Sequence, residues 1–424
     1  MRLKRRNFLK TTVGAAGAAW VGGSVFASVA QEPKRDGPIA ALKPMTDGIV
    51  PISDEERLAR MEKARKLMVE NGIDAIAMEG GSSLFYFTDV NWWNSERTFL
   101  WILPARGEMA WVCPKFEEDR AQEQIRFGND IRTWEEDESP YRTIADVLGS
   151  RGLRTGRIGL EEQVRFFLYD GLRKAAPGIN WVSADPVTLG CRVIKSPAEL
   201  ALMQRANDIT VAAYRAALAT FREGMTKGEF SSNARAAFSA LGVAGGIGAS
   251  FGEQAAFPHG SIRPRTLRKG DVVLMDGGCK VEGYSSDISR TVVFGQPTKR
   301  QREVWDLEKK AQLAAFAAAK PGAACEAVDL AARKVLTDAG FGPDYKVPGL
   351  PHRTGHGIGL DGHEGVYLVR GNKTPMRPGM CFTNEPMIVI PGEFGIRLED
   401  DMHITEDGAE FFSKPSPSIE QPFE

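Results

Sequence analysis

The sequence predicts an α+β fold, a duplicated helix–helix–hairpin unit preceded by a smaller α/β domain, and three observations carry that prediction. The chain has 424 residues, more than one hydrophobic core normally supports. From 51 to about 190, short apolar runs alternate with amphipathic pieces, as in an α/β domain. From about 191 onward the order helix, helix, hairpin occurs twice, although the two copies share little sequence. Apolar residues make up 42%, and charges are dense, mixed in sign and nearly balanced at a formal net charge of −1. No basic stripe points to nucleic acid and no acidic tail points to a solvating arm.

The elements follow in chain order. MRLKRRNFLK is basic, TTVGAAGAAWVGGSVFA is small and weakly apolar, and Ser28-Val29-Ala30 is similar to a cleavage site. Residues 1–30 therefore read as an export signal, since the apolar run is too short and too poor for a membrane anchor. The pair Arg5-Arg6 followed by Asn7-Phe8-Leu9-Lys10 resembles a twin-arginine signal. That resemblance implies passage through the twin-arginine translocation machinery in a folded state, and a periplasmic mature protein. Residues 31–50 read as a linker. In the domain at 51–190, the helical DEERLARMEKARKLMVENG leads into IDAIAM, and LFYFT, TFLWILPARG, MAWVCP, RIGLEE and INWVSA follow. Trp92-Trp93 are expected in the core, with a substrate or subunit contact as the second reading. The five cysteines are scattered without a CxxC pair, which favours buried thiols over a disulfide framework.

The domain at 191–424 opens with Ser196-Pro197-Ala198-Glu199, a capping box with proline at the first helical position. A long helix towards Glu223 follows, then KGEFSSNARAAFSALG closed by Gly242, then the hairpin DVVLMDGGCKVEGYSSDISRTVVFG turning at Val281–Gly283. The second copy has REVWDLEKKAQLAAFAAAK stopped by Pro321-Gly322, and CEAVDLAARKVLTDAG stopped by Gly340. Its hairpin is MCFTNEPMIVI, PGEFG, IRLEDDMHIT, and the two hairpins are expected to meet in one sheet.

Each hairpin carries two acids. The midpoint of Asp276 and Asp287 falls between Val281 and Glu282, and that of Glu385 and Glu399 falls on Gly392, so each pair is expected to face across its hairpin. Opposed Cβ atoms lie about 5 Å apart, and two carboxylates at that distance repel unless a cation stands between them. Three of the five histidines lie in PHRTGHGIGLDGHE, 351–364. His352 and His356 have the spacing of one helical face, but four glycines in the stretch argue for an irregular strand with loops. Taken singly, an aspartate at a strand end is turn chemistry and a glutamate before proline is solvated. Taken together, four carboxylates and a histidine make a site for two divalent metals.

The block from about 192 to 405 resembles the creatinase/methionine aminopeptidase superfamily with its pita-bread fold, most closely the Xaa-Pro aminopeptidase and prolidase branch. The matching segments are FPHG (257–260), MDGG with YSSDISRT (275–291), HRTGHGIGLDGHE (352–364), TNEP (383–386) and IRLED (396–400). Residues 51–190 are similar, more weakly, to that branch's N-terminal domain. The resemblance implies that Asp276, Asp287, His356, Glu385 and Glu399 bind two divalent ions per subunit, with Asp287 and Glu399 bridging. It implies that His259 and His363 contact substrate and transition state, and that Glu385 shuttles the proton. His352 and Arg397 are implied to line the proline side, while His403 matches nothing.

The activity so implied is hydrolysis of the Xaa-Pro bond, at a peptide N-terminus or in a dipeptide, by a hydroxide bridging the two ions. The ligand set admits Mn²⁺, Co²⁺, Zn²⁺ or Fe²⁺; Mn²⁺ is favoured because export in a folded state implies loading in the cytoplasm, where tight binders such as zinc are scarce. Rival readings are an ectoine hydrolase-like or creatinase-like C–N hydrolase, a lyase of the same fold, and a catalytically inactive binding module. Creatinase lacks the intact ligand set retained here, the lyase differs around Gly278, and inactive copies lose ligands. The implied partners are a small peptide or amide and further copies of the chain, as a dimer or tetramer.

Overall fold

The computed structural model describes residues 37–423. The export signal at 1–30, its cleavage site and the start of the linker lie outside the described residues. Helix Asp54–Asn71 starts where the Ser53 side chain accepts from Glu56 N (3.2 Å) and ends on Gly72 in the left-handed region at φ 62°. The apolar run after it becomes strand Ala75–Met78, buried throughout and central in a mixed six-stranded sheet. The sheet order is Ile131–Trp134, Ala110–Pro114, Leu100–Pro104, Ala75–Met78, Arg157–Leu160, Asn180–Ser183. Alternation along the central strand feeds two cores. Ala75 and Ala77 face Ile144, Leu148 and Leu168, whereas Ile76 and Met78 join Met61, Met68 and Phe87. The adjacent tryptophans divide: Trp92 is buried and stacks on Phe99 at 3.9 Å, while Trp93 is 80% exposed.

The second half shows the duplicated plan. Helices Pro197–Leu218 and Lys227–Ala240 precede the first hairpin, and Lys299–Ala318 and Glu326–Asp338 precede the second. Three of these four helices begin with a capping box, including the Ser196/Glu199 pair, where each backbone N–H meets the other's side chain (2.7 and 3.2 Å). In the first hairpin Val272–Val281 pairs with Ile288–Val293 on one side and Gly245–Phe251 on the other. The second is a long ladder, Cys381–Asn384 with Asp400–Ile404 continuing into Met387–Ile390 with Phe394–Arg397. The hairpins do not share the one expected sheet: the first lies in a four-stranded sheet, and the second is divided between a five-stranded and a two-stranded one. They join where Ser289 and Glu399 exchange backbone hydrogen bonds of 3.3 and 3.1 Å.

Register departs from expectation in the first hairpin only. Its turn sits on Glu282 and Gly283, both at positive φ (47° and 85°), the two-residue geometry whose twist suits a hairpin. The turn lies later than midpoint counting places it, so Asp276 faces Ser289, and Asp287 is its diagonal neighbour. In the second hairpin the pairs Asn384↔Asp400 and Met387↔Arg397 share one register, which sets Glu385 opposite Glu399. The glycine-rich histidine stretch is a strand with loops: Gly355–Gly357 pairs with Glu364–Leu368 and with Cys381–Asn384.

The described residues form one compact unit. A cluster of buried charges stands at the expected boundary at 190–191, and Arg192 reaches across it to Ser83. Arg192 donates to Ser83 Oγ (3.1 Å), Asp361 (2.7 Å) and Glu364, and Lys195 donates to Glu364 (3.0 Å). Burial raises the Glu364 pKa, but Lys195 and Arg192 outweigh that and bring it down to about 2. All five cysteines are buried free thiols. Among the described residues no helix is long and apolar enough to cross a membrane.

Candidate metal centre

The acids of both hairpins and the central histidine converge on one cavity of about 490 Å³. Three overlapping sets offer ligand atoms within 4.8 Å of one another: Asp276 with Asp287 and Glu399; His356 with Glu385 and Glu399; Asp287 with His356 and His363. The orientation of His356 is decided by its neighbour. Its Nδ1 lies 3.1 Å from Gly357 O, which can only accept, so Nδ1 carries the proton and Nε2 presents a bare lone pair 3.4 Å from Glu385 Oε1. Burial, with His363 beside it, lowers the His356 pKa to about 3 and keeps that lone pair free.

The carboxyls are strained electrostatically. Burial first, then mutual repulsion, pushes Asp287 and Glu399 well above the ordinary carboxylate range. Burial raises Glu385 to about 7, with Arg397 opposing and Asp276 adding to the rise. Asp276 departs from the expectation that it faces Asp287 across the hairpin. Its Oδ2 accepts from Arg397 at 2.5 Å and its Oδ1 from Ser289 Oγ at 3.2 Å. Arg397 is committed elsewhere too, donating to Ser289 Oγ (3.0 Å) and Pro258 O (3.2 Å) and standing 3.9 Å from Glu399. Arg353 also lines the cavity, and two guanidinium groups still cannot balance four carboxylates. An aligned imidazole lone pair among acids that cannot all ionise unaided is a donor set fit for hard or borderline divalent cations.

The other expected residues surround this cluster. His363 stacks on His356 with ring centres 3.8 Å apart. His352 donates Nδ1–H to Arg353 O (2.7 Å), leaving Nε2 buried without a partner; burial lowers its pKa to about 4. His259 lines the same cavity, and Arg397 holds the carbonyl just before it. His403 stands apart on strand Asp400–Ile404, 3.8 Å from Glu410.

Three contributors escaped the sequence reading. Ser289 Oγ bonds Glu399 (2.6 Å) as well as Asp276, tying the two halves together. Asp401 Oδ2 accepts from the backbone N–H of Asp287 and from Asn207 Nδ2, both at 2.9 Å. Arg353 lies 3.0 Å from His363 Nδ1; a guanidinium only donates, so His363 carries its proton on Nε2. Position alone offered a signal: Arg353 lies inside the histidine stretch, and Asp401 follows Glu399 by two residues.

Acids from both halves of a duplicated fold, meeting at one imidazole in a small cavity, define the class of metal-dependent hydrolases. Comparisons with known proteins carry this to a family. Residues 201–406 match metallopeptidase family M24, and residues 60–194 match the creatinase/prolidase N-terminal domain. An uncharacterized peptidase of Schizosaccharomyces pombe is 39% identical over 384 residues, covering 85% of this chain and 82% of its own. The Xaa-Pro dipeptidase of Lactobacillus delbrueckii subsp. lactis is 30% identical, covering 85% of this chain and 98% of its own. Among solved structures, dipeptidase PepE of Mycobacterium ulcerans superposes with a TM-score of 0.81 at 29% identity, covering 88% of this chain and 100% of its own. The prolidase of Thermococcus sibiricus gives a TM-score of 0.78 at 28% identity, covering 86% and 98%. The chain belongs to metallopeptidase family M24, and it is a hydrolytic enzyme with the pita-bread fold.

Proposed function

We propose that the enzyme cleaves the Xaa-Pro bond of dipeptides or of peptide N-termini, with two divalent ions held by Asp276, Asp287, His356, Glu385 and Glu399. Among the acids, Asp287 and Glu399 each belong to two of the converging sets and would be the natural shared ligands. Bound there, divalent ions supply Lewis acidity that can bring the pKa of water from 15.7 to roughly 7. The side chains do the rest. Glu385, ionised once it helps hold an ion, would take a proton from water and return it to the leaving nitrogen. An Xaa-Pro bond is a tertiary amide, so that nitrogen has no hydrogen of its own and depends on the delivery. His363, its Nδ1 occupied by Arg353, aims an N–H at the developing oxyanion, and His259 approaches from the cavity wall. The orientation of His356, lone pair towards the acids, is the observation that carries this reading.

Relatives named Xaa-Pro dipeptidase support the substrate class. Metal-loaded protein should hydrolyse Ala-Pro or Ala-Pro-Ala; turnover of a cyclic amide alone would replace this reading with an ectoine hydrolase-like one. We infer Mn²⁺ as the native metal, in keeping with the oxygen-rich ligand set and folded export from the cytoplasm. Elemental analysis of protein matured through its own export route tests this, and zinc alone would refute it. The basic leader around Arg5-Arg6 supports a periplasmic location.

A further inference from the structure

Residues 350–354 carry His352 to the cavity without belonging to any strand, since the ladder of this stretch begins at Gly355. Their backbone groups are met instead by two buried side chains one turn apart on helix Glu326–Asp338, Asp329 and Arg333. Asp329 uses both its oxygens. Oδ1 accepts from Thr354 N–H (3.1 Å) and Thr354 Oγ1–H (2.8 Å), and Oδ2 accepts from Arg333 Nε (2.8 Å) and Arg370 N–H (3.1 Å). With Nε so held and its guanidinium over the Tyr345 ring at 4.3 Å, Arg333 has its two terminal nitrogens fixed in direction. They donate to the carbonyls of Asp344 (2.6 Å), Leu350 (3.0 Å) and His352. The far end of the segment is tied to the metal centre, where Thr354 O accepts from Glu385 N–H at 2.8 Å.

His352 depends on this frame. Its Nδ1–H goes to the adjoining carbonyl, Arg353 O, and its Nε2 is buried without a partner. Among the described residues no side chain hydrogen-bonds the ring, so the course of the backbone sets where Nε2 points. We infer that Asp329 and Arg333 are positioning residues that aim His352 at the substrate and so set how tightly the proline side is held. What His352 meets there rests on the Xaa-Pro reading; that the pair aims it does not. Arg333 acts as a fork across carbonyls two residues apart, which the single point of a lysine ammonium cannot span. Asp329 sets the angle of the fork. An asparagine there would turn N–H groups towards the donors of Arg333 and Arg370.

The test compares Arg333→Lys and Asp329→Asn with wild type in the full metal-loaded chain, and its first readout needs no turnover. Nuclear magnetic resonance of isotope-labelled histidine, in protein loaded with diamagnetic Zn²⁺ and with His352 assigned through His352→Gln, reports which ring nitrogen carries the proton. In wild type His352 should hold its proton on Nδ1. In both variants its signal should move towards the mixed tautomers of a free imidazole, while that of His403, on its own strand, stays unchanged. On Ala-Pro, KM should rise about ten-fold with kcat within about three-fold of wild type and metal content unaltered, as expected when binding and not the chemical step is weakened. An unchanged His352 signal or an unchanged KM in folded variants overturns the proposal, and so does loss of activity in step with loss of metal. Failure of both variants to fold overturns it too, because the pair then serves stability alone. If wild type leaves Ala-Pro intact while His352 loosens in the variants as described, the peptidase reading falls and the positioning stands.

Discussion

The two acid-bearing hairpins follow one plan and close differently. The first turns tightly on Glu282 and Gly283, sets Asp276 against Ser289, and gives Asp276 a guanidinium partner at 2.5 Å. The second sets Glu385 directly against Glu399, whose carboxylate lies 3.9 Å from Arg397 Nε. The contrast separates two ways of tolerating buried acids. One hairpin balances its outer acid within the protein, and the other leaves its charge for an ion to balance. Asp287 sides with the second hairpin: burial and the neighbouring acids Asp276 and Asp401 raise its carboxyl well above its usual range, and only its backbone N–H is held, by Asp401.

Ligand replacement should break this contrast most forcefully. Glu399→Ala removes a carboxyl common to two of the three sets and should lower kcat/KM on the order of 10³-fold or more, with metal content falling in parallel. Asp276→Asn keeps the Ser289 contact and should lose less metal. Equal loss in the two variants, read by elemental analysis, would erase the distinction between the hairpins.

Acidity sharpens it next. Folded Asp287, Glu385 and Glu399 keep protons that the unfolded chain releases near its ordinary values of 3.8 and 4.5. The folded state therefore binds more protons above those values and loses stability as pH rises through the raised ones. His352 and His356, buried and neutral, act in the opposite sense, but only below their ordinary value of 6.5. Between pH 6.5 and 8 metal-free protein should lose about 1.4 kcal/mol per pH unit for each proton still held. Loaded protein has already released those protons and should not follow. Calorimetric melting temperatures of the two forms should diverge as pH rises, and a constant gap would contradict the electrostatic account.

The smallest effect distinguishes the turns. A Cβ at Gly278 would overlap Ser286 O, one residue from Asp287, so Gly278→Ala should cost about 1–3 kcal/mol and some metal affinity. Gly392 sits at φ 78° in open space, and Gly392→Ala should cost about 1 kcal/mol with metal affinity intact. Denaturant midpoints together with metal titration check both.

Much of this was legible because strong local signals agreed. The Ser196 capping box, the helices closed by Gly242 and Gly340, and the four acids at hairpin ends all stand in sequence as they do in space. Two kinds of information were not available. The register of the first hairpin depended on which residues of a short turn accept positive φ, which counting from Asp276 to Asp287 does not reveal. Arg353, Ser289 and Asp401 matter through partners ten to more than a hundred residues away, and their own neighbourhood offers no more than position beside an expected ligand. Conversely, Trp92-Trp93 looked like one feature and proved to be two: Trp92 packs on Phe99 while Trp93 is exposed.

The buried Arg192–Glu364 contact reaches beyond architecture. Glu364 directly follows His363, and the cations that keep it ionised come from the segment joining the two halves, at Arg192 and Lys195. A catalytic half expressed from residue 197 would strand a dehydrated acid next to the cavity, an arrangement that in comparable settings costs about 3–5 kcal/mol. The seam can therefore be cut before Arg192 but not after it: a catalytic half begun at 191 keeps both cations, and any transplant must carry Arg192 and Lys195 with it.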